Sequence, residues 1–411
     1  MSEVELKDTS LNEIAEFRNG KGLSSTFYNI HGKYPVFGAN GQFARTNEVL
    51  NPNPVIVIGR VGAYCGSLYF INGPSWVTDN AIISIPKETI NARFLFYLLK
   101  TLDIRRMAIG SAQPLITQEG LKKINVKIPP PSIQNIIAQI LGSIDSKIEL
   151  NQQMNETLDA MALAIFKSWF IDFDPVRTKM GGWQPSGIDA EVASLFPSEF
   201  NEVEGREIPN GWKVSPLSAI IDLIGGGTPK TTTEEYWNGT IPWFSVVDAP
   251  NESDVYVIST EKSITNAGLE NSSTNILPVG TTIISARGTV GKLALAGIPI
   301  TINQSCYGIR GINGYPDYFI YYLLRIIVSD LKRKTHGTVF ETITRQTFDT
   351  VNIIVPPVNI AQQFDNFVKT HNEKILNNLF ESQILEQIRD TLLPRLISGN
   401  LRIQQEIGGL E

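Results

Sequence analysis

A chain of 411 residues, 42% hydrophobic and 18% charged, describes an ordinary soluble protein with room for two or three domains. No apolar run reaches the ~18 residues of a membrane span, and the acidic opening MSEVELKDTSLNEI lacks a signal-peptide core, so a cytoplasmic protein is expected. A net charge of −6 runs against a dedicated nucleic-acid binder taken whole, yet the acids gather in two helical stretches and in 186–208, leaving basic clusters elsewhere.

Residues 1–130 read as a mixed α/β domain of short strands. Leu11–Phe17 has the pattern of a short strand or helical turn, followed by the glycine-bearing Asn19–Leu23. Asn40-Gly41 is a hairpin signal, and Val55-Ile-Val-Ile-Gly is a β-branched run suited to a buried strand. Asn80–Ile85 is another strand, Phe94–Thr101 a short amphipathic helix, and Ile124–Ile128 a last strand before Pro129-Pro130-Pro131. From 131 to 175 apolar residues recur at three- and four-residue steps: Ile133, Ile137, Ile140, Ile144, Ile148, Leu158, Met161, Ile165 and Trp169. With Ser132 as N-cap this predicts a helix of roughly ten turns, about 57 Å, interrupted only by the polar Asn151–Gln153 and ended by Asp174-Pro175.

After a linker at 176–195 the order repeats in 196–357. Leu217–Leu223 parallels Leu11–Phe17, Gly225-Gly-Gly-Thr-Pro-Lys230 stands where Gly20–Gly22 stood, and Ile241-Pro-Trp-Phe244 stands where Tyr34-Pro-Val-Phe37 did. Phe319-Ile-Tyr-Tyr-Leu-Leu-Arg matches Phe94-Leu-Phe-Tyr-Leu-Leu-Lys. Pro356-Pro357 then opens a second long helix over 358–411, with Asn359 at its start and Ile360, Phe364, Val368, Ile375, Leu379, Leu385, Ile388, Leu392 and Leu396 on one face. Two helices with one narrow apolar stripe each are incomplete alone and pair with each other or with a partner.

Catalytic readings are weak. Gly225–Lys230 lacks the glycine before the lysine of a phosphate loop, and Pro229 removes a donor. Phe37-Gly-Ala-Asn-Gly is a turn rather than a methyl-donor loop. Asp317, Asp330 and Lys332 have the bare spacing of a metal-dependent nuclease, which is the alternative function, but they fall in a helical pattern. Cys65 and Cys306 lie in different halves, and His31, His336 and His371 are scattered, so reduced thiols and no metal site are expected. A scaffold that binds no nucleic acid is a third class.

Basic residues recur at matching places. Arg105-Arg106 precedes Gly110–Gln113, and Lys332-Arg333-Lys334 precedes Gly337-Thr338. Arg60 and Arg287 occupy corresponding strand-to-loop turns. Cations beside Gly/Ser/Thr loops suit phosphate contacts, and amide or guanidinium groups suit base edges. The expected DNA contacts are therefore Arg60, Arg105, Arg106, Ser111 and Gln113 in the first domain. In the second they are Lys230, Trp243, Arg287, Lys332, Arg333, Lys334 and Thr338.

The repeat, the two proline-led helices and the stretches GGTPKTTTEEYWNGTIPWFSVVD, TVGKLAL and Trp169-Phe-Ile-Asp-Phe-Asp-Pro-Val together resemble the specificity subunit of type I restriction–modification systems. That resemblance spans essentially the whole chain. It implies an α+β protein with two α/β target recognition domains and an antiparallel coiled coil related by a pseudo-two-fold axis. It implies no catalysis and no cofactor of its own. The partners it implies are double-stranded DNA, two methyltransferase subunits that methylate adenine with S-adenosylmethionine, and restriction/translocase subunits. Docking is expected on the outward helix faces and at Trp169, Phe170, Asp172 and Phe173. Two domains held apart by a stiff spacer are expected to read an interrupted, asymmetric site, with half-sites about 34 Å apart. The first domain departs from the pattern in lacking GGTP and Tyr-Trp-Asn-Gly.

Overall fold

The computed structural model describes residues 6–110, 114–203, 205–250, 254–334 and 342–401, with the backbone alone of 329–334. Contacts divide the chain into two units: residues up to Ile148 with those from Gln383 onward, and Glu149–Ser382. Two helices of 40 residues, Pro131–Phe170 and Val358–Ile397, contribute part of their length to each unit.

In the first unit, Ala15–Asn19, Ala81–Pro86, Val55–Gly59 and Leu68–Ile71 form an antiparallel sheet in that order. Val55–Gly59 is buried along its length, as its β-branched run demands. Alternation sends Ile56 and Ile58 toward Phe94, Leu95 and Leu98 of the helix Ala92–Lys100, and Val55 and Val57 toward Val77, Ala81 and Ile83. That helix starts where the Asn91 side chain accepts from the N–H groups of Arg93 and Phe94, both at 3.0 Å. Tyr34–Gly38 and Gly41–Thr46 form the expected hairpin, with Gly41 at φ 98°, and Trp76–Val77 joins it in parallel. Asn125–Ile128 pairs with Lys7–Ser10, a strand the sequence pattern does not announce. Ile137 and Leu141 of the first long helix and Leu393, Leu396 and Ile397 of the second complete this core. Asp145 joins the three helices, accepting from Tyr97 Oη at 2.6 Å and from Arg389 at 3.0 Å.

The second unit repeats the plan with longer insertions. Its main sheet runs Ile221–Gly225, Cys306–Gly311, Thr282–Ser285, Leu293–Ala296 and Tyr256–Val257. Lys262–Ile264, Trp237–Phe244 and Thr301–Ile302 form the smaller sheet, and Lys213–Pro216 pairs with Asn352–Val355. The helix Asp317–Lys334 covers the main sheet, with Phe319, Ile320 and Leu324 in one core with Ile284, Leu295 and Ile309.

Within this unit the long helices run antiparallel. Asn151 donates to Glu381 at 2.9 Å and to Ser382 at 3.3 Å, while Asn155, one turn later, accepts from Asn378 at 2.8 Å. The helix pairing expected from the apolar stripes is present, but the residues in the seam differ from the expected set. Buried positions step through Asn151, Asn155, Asp159, Ala162 and Phe166, so Asn151 lies inside the seam at 0% exposure and Met161 lies outside it at 46%. On the second helix Asn372 and Asn378 are buried while Ile388 is 43% exposed. Asp159 is neutralised by Arg325, whose guanidinium lies over the rings of Tyr321 and Tyr322.

Three of the four residues expected to dock a partner are instead core. Trp169, Phe170 and Phe173 are 4–6% exposed. Phe170 packs against Phe364, Phe319 and Trp212 with ring centroids 5.1–6.0 Å apart, and Trp169 meets Phe196 at 5.2 Å. An aromatic run at the end of a helix is covered here by the segment that follows it. Asp172 is half-exposed beside Lys167. The long helix ends at Phe170, ahead of the expected stop at Asp174-Pro175. The chain turns through Phe173 at φ 56°, and Asp174-Pro175 instead starts another helix, Asp174–Met180, because proline is tolerated in a first helical turn.

Candidate nucleic-acid interface

Matching backbone hydrogen bonds align the two units residue by residue. Phe37 C=O accepts from Thr78 N–H, and Phe244 C=O from Asn303 N–H, both at 2.9 Å. Asn80 C=O accepts from Arg60 N–H at 3.1 Å, and Ser305 C=O from Ala286 N–H at 2.7 Å. Arg60 C=O accepts from Ile116 N–H at 3.0 Å, and Ala286 C=O from Ile343 N–H at 2.9 Å. Arg60 therefore corresponds to Ala286. Arg287 lies one residue further on, which corrects the expected equivalence of Arg60 and Arg287. The turns correspond but the side chains do not, since successive residues along an extended strand face opposite ways.

Each unit thus brings together a glycine-bearing loop, a strand-to-loop turn and a short turn between two strands. Close approach explains the glycines. A Cβ on Gly20 would stand 2.2 Å from Thr78 O, and one on Gly226 2.0 Å from Asn303 O. These loops press on the neighbouring turn, and no phosphate cradle is needed to account for them. An indole N–H then holds the loop in both units from different strands: Trp76 donates to Lys21 O at 2.7 Å and Trp243 to Gly227 O at 3.0 Å. Trp243 is 6% exposed and meets Trp237 edge-on at 5.1 Å. The expectation that Trp243 touches DNA is corrected, because its ring and its donor are both used inside the domain.

The other expected contacts divide. In the first unit Arg60 is half-buried and Arg105 exposed, and Ile109–Leu115 pairing brings the segment after Arg105 back onto the Arg60 turn. Gly66 stands directly against the Arg105 backbone. Arg106 is exposed but pairs with Asp103 at 2.8 Å. Around these cations stand the exposed Tyr64, Met107 and Ile109, which composition alone does not single out. In the second unit Arg287 and Lys230 are exposed. Lys230 has its carbonyl in the loop, accepting from Trp237 Nε1 at 3.3 Å, and its side chain faces solvent. Lys292 is exposed at the far side of the Arg287 turn. Ser111, Gln113 and Thr338 lie outside the described residues, as do the side chains of Lys332, Arg333 and Lys334.

The nuclease alternative fails on geometry. Asp317 is the first residue of the helix Asp317–Lys334, and its carboxylate is spent on Arg310 at 2.7 Å and on Gly311 N–H at 2.9 Å. Asp330 lies on the same helix, so its backbone is about 20 Å further along the axis, too far to share a metal. Among the described residues no group of three or more His, Cys, Asp or Glu is placed to hold a metal. Both thiols are buried. Burial raises the pKa of Cys65, whose Sγ donates to Arg60 O at 3.3 Å, and pushes that of Cys306 up to about 12, so neither is an activated nucleophile. No helix among the described residues is long and apolar enough to cross a membrane.

The family model for the type I restriction modification DNA specificity domain matches residues 3–160 and again 209–388. The chain is 30% identical over 374 residues to the type I restriction enzyme HindI specificity subunit of Haemophilus influenzae, covering 79% of each. It is 28% identical over 344 residues to the MjaIX specificity subunit of Methanocaldococcus jannaschii, covering 78% of this chain and 72% of that one. The crystal structure of a type I restriction–modification S subunit from M. genitalium shares the fold, with TM-score 0.62, 16% identity and 96% of each chain covered. Two matched copies of one domain, each with its share of two paired helices, show that this chain belongs to the type I restriction modification DNA specificity family.

Proposed function

We propose that the chain reads a bipartite, asymmetric DNA site, one half-site per unit, and positions other subunits that carry out the chemistry. The observation that carries this reading is the pair of loop clusters, built on one hydrogen-bond frame and lined by different side chains. A common frame suits a common kind of ligand, and different side chains suit different base sequences. Cations at both clusters, the half-buried Arg60 and the exposed Arg105 in one and the exposed Lys230, Arg287 and Lys292 in the other, supply phosphate contacts despite the negative total charge. The chain itself contributes no catalytic group and takes no cofactor. Two adenine methyltransferase subunits using S-adenosylmethionine, and restriction/translocase subunits, are the proposed partners.

Docking belongs to the outward helix faces, where Met161 and Phe367 in one unit and Ile384 and Ile388 in the other are 42–56% exposed. Large apolar side chains in the open on a helix are used economically when a partner covers them. The test is a single-molecule methylome of cells expressing the chain with its methyltransferase subunit. An interrupted, asymmetric motif methylated on both strands is expected. No new methylated motif, with the complex assembled, overturns the proposal.

A further inference from the structure

The alignment of the two units singles out one pair of residues that charge and motif do not. Thr78-Asp79-Asn80 and Asn303-Gln304-Ser305 are equivalent turns. Each opens with an N–H donated to Phe37 or Phe244 and closes with Ala81 or Cys306 donating back at 3.1 Å. The third residue of each accepts from the strand-to-loop turn that bears Arg60 or Arg287. The middle residue, Asp79 or Gln304, is exposed at the tip in both units. Behind it lies the glycine whose missing side chain lets the loop press on the turn, Gly20 or Gly226. Gln304 is further oriented by Thr228, whose hydroxyl donates to the Gln304 side-chain oxygen. Each tip therefore projects from a rigid frame between two segments that carry cations: Lys21 and Arg60 in one unit, Lys230 and Arg287 in the other.

We infer that Asp79 and Gln304 are equivalent base-reading residues, one for each half-site, an inference that rests on the DNA-reading function proposed above. Their chemistries differ in a way that assigns different bases. A glutamine amide offers a donor and an acceptor side by side, matching adenine N7 and N6 in the major groove. An aspartate carboxylate offers only acceptors, so it matches the amino group of cytosine and is repelled by the oxygens of guanine and thymine. The second half-site should contain an adenine under Gln304, and the first a cytosine under Asp79. Flanking cations offset the repulsion between Asp79 and the phosphates.

The experiment compares methylomes written by the assembled complex carrying the wild-type chain, Gln304→Glu, Gln304→Ala or Asp79→Asn. With Gln304→Glu the adenine preference at one position of the second half-site should move toward cytosine. With Gln304→Ala that position should become degenerate, equivalent to losing roughly 10- to 100-fold discrimination. Asp79→Asn should relax one position of the first half-site and leave the second unchanged. An unchanged motif in all three variants overturns the inference. So does uniform loss of methylation while the variant complexes still bind non-specific DNA at low salt, because a one-base reader cannot abolish both half-sites. A wild-type methylome with no bipartite motif instead overturns the underlying functional reading.

Discussion

Burial of the Asp365 carboxyl pushes its pKa up to about 6 from an ordinary 3.8, although Tyr318 N–H donates to it at 3.0 Å and opposes the shift. Nearby Asp317 adds to the rise. An acid whose folded value lies above its unfolded value stabilises the fold in its protonated form. Its contribution is complete below about pH 4 and is lost as the pH rises through about 6. Chemical denaturation at several pH values should therefore show the wild type gaining stability relative to Asp365→Asn as the pH falls from 7 to 4. Parallel curves would show that the carboxyl is not perturbed. At this scale the sequence was informative about residue type and poor about role. Arg105, Lys230 and Arg287 are exposed at the loop clusters and Arg60 is half-buried there, as cations beside polar loops are expected to be. Trp243 shares the motif but turned inward, because a buried indole N–H needs an acceptor and the Gly227 carbonyl supplies it. Nothing in a linear pattern distinguishes those two fates.

At the scale of elements, periodicity announced both long helices and the prolines before them marked their starts. The first begins at Pro131 and so takes in Ser132, the expected N-cap, because proline is tolerated as a first helical residue. Periodicity did not identify the seam. A stripe of isoleucines and leucines suggests an apolar interface broken at Asn151, whereas the chain buries asparagines and an aspartate there. Asn151 and Asn155 bond across the pair to Glu381 and Asn378, and Asp159 is paired by Arg325 of the helix Asp317–Lys334. A buried polar pair such as Asn155–Asn378 costs stability relative to leucine and opposes sliding, since any other register forfeits the Asn378 to Asn155 bond and leaves both side chains buried without it. On the DNA-reading function proposed above, the length of the helix pair is then expected to set the gap between half-sites. Inserting about seven residues, close to two turns, beside Asn151 and a matching segment beside Ser382 keeps the seam on its face. Methylomes of such variants should show a longer gap between unchanged half-sites. Altered half-sites at an unchanged gap would sink the idea.

At the scale of the whole molecule, each unit is assembled from distant parts of the chain. Leu393, Leu396 and Ile397 lie near the end of the described chain, yet they belong to the core built on Leu11, Ile56 and Phe94. A chain ending at Ser382 should therefore lose native structure in the first unit and keep it in the second, whose core draws only on Glu149–Ser382. Limited proteolysis with mass spectrometry reads this directly: early cleavage within 6–148 is expected, and equal resistance of both units would contradict it. The internal repeat, the helix positions and the family were legible from residues alone, because hydrophobic period, proline breaks and glycine at close approaches are local consequences of side-chain shape. Which cation stands at which loop cluster, which asparagines enter the seam and which residue of one unit answers which of the other were decided only by tertiary structure. Those depend on hydrogen bonds between strands and turns far apart in sequence, where a shift of one residue exchanges the buried face for the exposed one.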